Sequence, residues 1–247
     1  MTDFSLRFGV PSDAPRLLEL EKTYFPAVAG TYHAGYLFES PEMSRAALTE
    51  EIATAVKAFN IVAEVEGEVV GLAAATPFTM PGTGQVAPAS SVLRYLVVDP
   101  AYRRSGIARA LVAEVENRAR AARQNIMVAH IPTDEEEFYR AIDWHVAPEG
   151  YGYAWIPFVR DLHADVGDAH VGFPLMAAKI LRPKAIRRAF DFPIVNNRPT
   201  LDAAAELGRL IDAHEIDITD LEEDTQWMVT EARKGAVPKA VLDLFGS

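Results

Sequence analysis

Residues able to do chemistry concentrate in a few stretches of the chain. Arg103-x-x-Gly106-x-Ala108, preceded by Val98-x-Pro100-x-Tyr102, sets two arginines and a glycine where an apolar strand gives way to a helix. The first turn of a helix carries backbone N–H groups without internal partners, and the helix dipole adds partial positive charge there. A phosphate or pyrophosphate suits that place. Arg103 and Arg104 reinforce the sign, Gly106 allows close backbone approach, and the small Ala108 keeps the next turn uncrowded. Further on, Tyr139 carries a phenol able to give up a proton, and His130 an imidazole that titrates near neutrality. Each has an ordinary structural role open to it as well, the tyrosine packed in a core and the histidine hydrogen-bonded within the fold. Tyr24, Phe25, Tyr32, His33 and Tyr36 form an aromatic-rich stretch. It could hold a cationic amine by cation–π contact, or simply pack down on itself as a loop.

The elements that must position these groups follow from periodicity and punctuation. Phe4 to Phe8 alternates as a strand, and Pro11-Ser-Asp opens a helix with Ser12 or Asp13 as N-cap and Leu17, Leu18 and Leu20 as apolar positions. Ser44 to Phe59 reads as a second helix. Ile61–Glu66 and Glu68–Ala75 flank Gly67 as a hairpin, and Thr76 to Pro88 reads as an irregular loop. Within that loop Gly82-x-Gly84-x-x-Ala87 has the spacing of a dinucleotide fingerprint, but no helix follows it, so the match is assigned to loop. Val92–Val98 is a strand stopped by Asp99-Pro100. The helix opening at Gly106 runs to about Arg123, with Ile107, Leu111 and Val115 on one face and Glu114–Arg118 and Glu116–Arg120 pairs on the other. Asn125–Ile131 is a strand, Pro132 opens the helix that carries Tyr139, and Tyr151–Val159 alternates again. Strands and helices in this order predict an α/β fold.

The Arg-x-x-Gly-x-Ala segment between its strand and helix resembles the acetyl-coenzyme A signature of the GNAT acetyltransferase superfamily, over roughly residues 3–162. Phe138-Tyr139-Arg-Ala-Ile-Asp143-Trp144 is similar to that family's Phe-Tyr-x-x-x-Gly-Phe, with Asp143 in the glycine's place and Trp144 in the phenylalanine's. Pro132 and Glu135 stand where relatives often have Asn and Ala, and no Glu lies on Val92–Val98, where some carry a base. The resemblance implies a GNAT acyl-CoA N-acyltransferase fold, a mixed and mostly antiparallel sheet flanked by helices, using acetyl-CoA. It further implies that Arg103, Arg104, Ser105, Gly106, Ile107 and Ala108 hold the pyrophosphate. The strand Leu93–Val98 would splay from its neighbour, so that backbone around Leu96, Val97 and Val98 meets the pantetheine arm. Tyr139 would be the general acid, His130 a candidate base, and the Tyr24–Tyr36 stretch a border of the acceptor pocket. The acceptor implied is a small-molecule or peptide amine. A non-catalytic acyl-CoA-binding module is the alternative reading, and a toxin-like enzyme acting on aminoacyl-tRNA a third.

Composition narrows the partners. The chain has 247 residues and a formal net charge of −11, which argues against a nucleic-acid partner and is compatible with a cationic substrate. It contains no cysteine, which removes disulfides, thiolate metal sites and a cysteinyl acyl-enzyme. Its six histidines show no metal spacing, so no metal is expected. Without a basic-then-apolar leader or an apolar run long enough to span a membrane, a cytoplasmic location is expected. Residues 163–247 read as a helical C-terminal appendage to the 1–162 domain: Phe173–Phe190 helical and basic, Thr200–His214 helical, and Thr219-Asp-Leu-Glu222 a capping box for a helix ending before Gly235. The basic run Lys179–Arg188 could be a solvated face, a coenzyme contact, or a surface for an acidic partner or a second copy in a homodimer.

Overall fold

Alternating and punctuated segments of the sequence become strands and helices in a computed structural model, which describes residues 3–24, 36–79, 86–147, 151–157, 163–165, 174–182, 186–195, 198–199 and 212–213. The chain divides into two units, 1–78 with 86–129, and 79–85 with 130–247.

In the first unit the order is β1 (Ser5–Phe8), α1 (Ala14–Tyr24), α2 (Pro41–Ala47), α3 (Glu50–Ala55), β2 (Phe59–Val65), β3 (Glu68–Thr79), β4 (Val86–Val98), α4 (Ile107–Ala121) and β5 (Ile126–Ile131), the last up to Ala129. The strands lie β1-β2-β3-β4-β5 across the sheet. β1 and β2 pair antiparallel, as do β2 and β3, whereas β4 and β5 are parallel. Two consecutive left-handed residues, Glu66 (φ 52°) and Gly67 (φ 85°), close the β2–β3 hairpin with the twist such strands require. The core joins Leu17 and Leu20 of α1 to Val62, Val69, Leu72, Tyr95 and Val97 of the sheet. On α4, Ile107, Leu111, Val112, Val115 and Ala119 form the buried stripe expected of its periodicity. Gly71 lets the helix approach: a Cβ there would stand 3.0 Å from the Val97 carbonyl oxygen and 3.2 Å from Leu111 Cδ1.

Some boundaries differ from expectation. The helix read over Ser44–Phe59 is two short helices separated at Leu48-Thr49, and Phe59 already begins β2. Thr49 is extended (φ −101°, ψ 109°), its hydroxyl donates to the Arg45 carbonyl at 2.7 Å, and α3 starts anew behind it. The loop read over Thr76–Pro88 is shorter, since β3 continues to Thr79 and β4 begins at Val86. Ala87, last residue of the fingerprint-like spacing, lies in β4, so a strand follows where a dinucleotide site needs a helix.

The second unit holds α5 (Glu136–Ala141), β6 (His145–Val146), β7 (Tyr151–Pro157), β8 (His163–Asp165), β9 (Leu175–Ile180), β10 (Ile186–Val195) and β11 (Arg198–Pro199). Its strand pairs β6/β9, β7/β8, β7/β10 and β10/β11 are all antiparallel. Antiparallel pairing with flanking helices is thus the rule, as expected. The helix read over Phe173–Phe190 is instead two strands. Leu175, Met176, Ala177 and Ala178 are all buried, and the apolar run reads equally well in either conformation until β6 offers it backbone partners. β10 then carries Ile186, Phe190, Phe192, Ile194 and Val195, the β-branched and aromatic types that favour strands. The helices read at Thr200–His214 and Thr219–Gly235 lie outside the described residues apart from Asp212 and Ala213. No helix among the described residues is long and apolar enough to cross a membrane.

Candidate functional site

Asp99 ends β4 and organises the turn beyond it. Its backbone N–H donates to the Val70 carbonyl at 2.8 Å. Its carboxylate accepts from the Ala101 N–H at 3.0 Å and from Arg16 Nη2 on α1 at 2.7 Å. Arg16 also donates from Nε to the Val69 carbonyl at 3.1 Å, so α1, β3 and the turn share one anchor. Pro100–Tyr102 then makes a single 3-10 turn. Arg104 (φ 58°) and Gly106 (φ 91°) are left-handed, and Gly106 caps the N-terminus of α4. A Cβ on Gly106 would meet nothing within 4 Å, so the helix mouth faces open space. Ile107, fully buried, fixes the first turn from below, while Ser105 donates its hydroxyl to the Tyr102 carbonyl. The free amides of that first turn, the dipole and the exposed Arg104 fit a pyrophosphate group.

Arg103 behaves differently from its neighbour. Its Nε donates to the Val98 carbonyl at 3.3 Å and its guanidinium lies over the Tyr24 ring, 5.4 Å from the centroid. One expected coenzyme residue is thereby joined to one expected acceptor-pocket residue. Burial, and next the nearby Asp99, hold the Tyr24 hydroxyl above its ordinary pKa. Tyr36 lies under Lys22 Nζ at 5.6 Å, whereas Phe25, Tyr32 and His33 lie outside the described residues. The return of that stretch is pinned by Glu21, a buried carboxylate of α1 that accepts from the N–H groups of Leu37 (2.7 Å) and Phe38 (3.1 Å). Tyr95 of β4 also hydrogen-bonds to Glu21, and burial followed by that carboxylate keeps its phenol protonated well above the usual range.

β4 and β5 pair at Ser90↔Ile126, Ser91↔Met127 and Val92↔Val128, where their ladder ends. β4 continues to Val98, so the stretch holding Leu96, Val97 and Val98 runs beyond that ladder, Val97 and Val98 buried and Leu96 half-buried.

In the second unit Tyr139 is 3% exposed, with Phe138 and Trp144 edge-on to its ring at centroid distances of 5.2 and 5.3 Å. Burial, reinforced by Glu135, raises its pKa well above the usual phenol range, so its hydroxyl is protonated. His130, near the end of β5, is half-buried. Sequence reasoning missed Arg16, whose partner Asp99 is 83 positions away, and missed Glu21, which only its core-facing place beside Leu17 and Leu20 hints at.

The family model described as the acetyltransferase (GNAT) family matches residues 14–150. Among solved structures, a protein from Salmonella typhimurium assigned as an acetyltransferase and solved with its cofactor acetyl-CoA is 16% identical, with a TM-score of 0.51 over 73% of this chain and 95% of that one. A GNAT-family acetyltransferase from Staphylococcus aureus is 12% identical, with a TM-score of 0.51 over 73% of this chain and 100% of that one. The N-acetylglutamate synthase of Neisseria gonorrhoeae, complexed with coenzyme A and N-acetyl-glutamate, is 15% identical, with a TM-score of 0.50 over 74% of this chain and 36% of that one. At these identities the likeness is one of fold. No curated protein matches the chain in sequence.

Proposed function

The chain belongs to the GNAT acetyltransferase family, and on that premise we propose that it moves the acetyl group of acetyl-CoA directly to the nitrogen of a small-molecule or peptide amine in a ternary complex. The observation that carries this reading is the open, left-handed Gly106 mouth of α4 beside the stretch of β4 that runs past its ladder with β5. Amides from Arg104 to Ala108 hold the pyrophosphate, with Arg104 adding charge. Acetyl-CoA supplies an activated thioester when bound. Backbone N–H groups around Leu96 and Val98 polarise the acetyl carbonyl. An aliphatic ammonium must lose a proton before it can attack, and His130 takes that proton directly or through water. As the C–N bond forms and the C–S bond breaks, the Tyr139 phenol would give its proton to the departing sulfur, and the second proton shed by the acylated nitrogen would return through water to the phenolate. A phenol whose pKa burial has raised arrives at that step protonated. Because the chain has no cysteine, an acetyl-cysteine intermediate on it is ruled out, which supports direct transfer. Tyr24, held by Arg103, borders the acceptor side. We further propose that the catalytic domain extends past residue 162 to β9, whose apolar residues pair with β6 and are buried.

The test is turnover of acetyl-CoA against a panel of amines. Tyr139→Phe is expected to lower kcat by roughly 10²–10³-fold while coenzyme A affinity by calorimetry stays within about twofold. Coenzyme binding without acetylation of any amine would favour the non-catalytic acyl-CoA-binding reading instead.

A further inference from the structure

The helix carrying Tyr139 ends in a turn that closes back on the tyrosine itself. The Asp143 N–H donates to the Arg140 carbonyl and the Trp144 N–H to the Tyr139 carbonyl, each at 3.0 Å. These paired bonds make a Schellman closure, in which the residue after the left-handed position packs on the residue whose carbonyl it caps. Here that contact is Trp144 edge-on to Tyr139, at 71° between ring planes. The left-handed position is normally glycine. Asp143 occupies it with φ 64°, a strained conformation for a residue that carries a Cβ.

Compensation arrives from a residue beyond the part of the chain that the family model matches. Lys179 of β9 donates from Nζ to the Ile142 carbonyl (3.2 Å), the Asp143 carbonyl (2.6 Å) and Asp143 Oδ2 (2.8 Å). An ammonium has three N–H donors, and each has an acceptor here. The charge stands at the C-terminal end of α5, where unpaired carbonyls and the helix dipole favour a cation. The Lys179 side chain is 16% exposed and that of Asp143 98% exposed. The two carbonyl contacts therefore matter more than the solvent-screened carboxylate. β9 delivers the lysine in register, since Ala178 pairs with His145, Ala177 pairs with Val146, and the Ala147 N–H donates to the Met176 carbonyl at 2.9 Å.

We propose that Lys179 is a positioning residue for acetyl transfer, holding the strained Asp143 turn so that Trp144 fixes the Tyr139 ring for proton donation. The inference rests on Tyr139 being the general acid. The experiment compares wild type, Lys179→Met, Asp143→Gly with Lys179→Met, and Tyr139→Phe as full-length proteins labelled with 5-fluorotryptophan. Lys179→Met should lower kcat by about 10-fold to 100-fold, with KM for acetyl-CoA and coenzyme A affinity within about twofold. The Trp144 fluorine resonance, assigned by Trp144→Phe, should shift or broaden. Adding Asp143→Gly, which removes the strain, should restore kcat to within about threefold of wild type and return the resonance. Wild-type kcat in Lys179→Met, loss of coenzyme affinity in parallel with kcat, or failure of Asp143→Gly to restore activity would each overturn the inference. If Tyr139→Phe turns over at the wild-type rate, the general-acid reading falls first and takes the positioning role with it. A slow Tyr139→Phe beside a fast Lys179→Met defeats only the role of Lys179.

Discussion

Gly106 shows how much one residue's backbone can decide. Its φ of 91° excludes most side chains on conformational grounds, while the space around its missing Cβ excludes none on steric grounds. Those two effects separate experimentally. Gly106→Ala should destabilise the fold by about 1 kcal/mol, seen in a denaturant melt, and still bind coenzyme A. Gly106→Glu should abolish that binding in calorimetry, because it sets bulk and negative charge where the pyrophosphate belongs. Undiminished affinity in the glutamate variant would remove the donor site from the Gly106 mouth. Tyr139 carries a prediction of its own in pH. Burial raises its pKa above the usual phenol value near ~10, so the donor form persists at and beyond that pH. kcat should therefore show no loss attributable to Tyr139 between about pH 8.5 and 10. An alkaline loss centred below ~10 that vanishes in Tyr139→Phe would contradict a raised pKa.

At the scale of elements, the turn proposed to meet the coenzyme is held by α1 as well as by the strand before it. Asp99 caps Ala101 while Arg16 holds both Asp99 and the Val69 carbonyl. Removing either partner loosens the turn from α1, and removing both adds little, so the two effects should be strongly non-additive. Arg16→Gln and Asp99→Asn are each expected to weaken coenzyme A about fivefold to twentyfold, equivalent to ~1–2 kcal/mol, with a coupling of similar size in the double variant. Additive losses would show that the pair does not position the turn. The same α1 also presents Glu21 to the amides of Leu37 and Phe38, so the turn after β4 and the chain at Leu37–Phe38 are both held by one helix.

For the molecule as a whole, the proposed extension of the catalytic domain beyond the family-matched segment rests on β9. β9 inserts Leu175, Met176, Ala177 and Ala178 into buried positions, Leu181 just after it is buried too, and the strand brings Lys179 to the end of α5. A chain ending at residue 162 loses all of these and leaves β6 unpaired by β9. Each large buried apolar side chain contributes about 1.5–3 kcal/mol, and a domain's net stability is only ~5–15 kcal/mol, so the shortened chain is expected to aggregate or melt without cooperativity. A soluble shortened chain with a wild-type melting temperature would restore 162 as the boundary.

Contiguity separates what could be read from the sequence from what could not. The proposed donor site falls within Val98–Ala108 because the features that suggest it, a strand end, a left-handed glycine and a helix start, are all written in neighbouring residues. The helix turn around Tyr139 was legible for the same reason, as part of a short motif, and its catalytic role stays a proposal. The pairing of Arg16 with Asp99, 83 positions apart, and of Lys179 with Asp143, 36 apart, leaves no local trace, since arginine, lysine and aspartate suit any exposed position. β9 was misread for a related reason: Leu-Met-Ala-Ala-Lys is good helix sequence, and only a partner strand supplying backbone bonds makes it extended. The sequence by itself thus determined the family, the fold class and the mouth of α4, because local conformation carries them. Tertiary structure decided how α5 is held and which distant charges hold the turn after β4, because those depend on contacts between elements far apart in the chain.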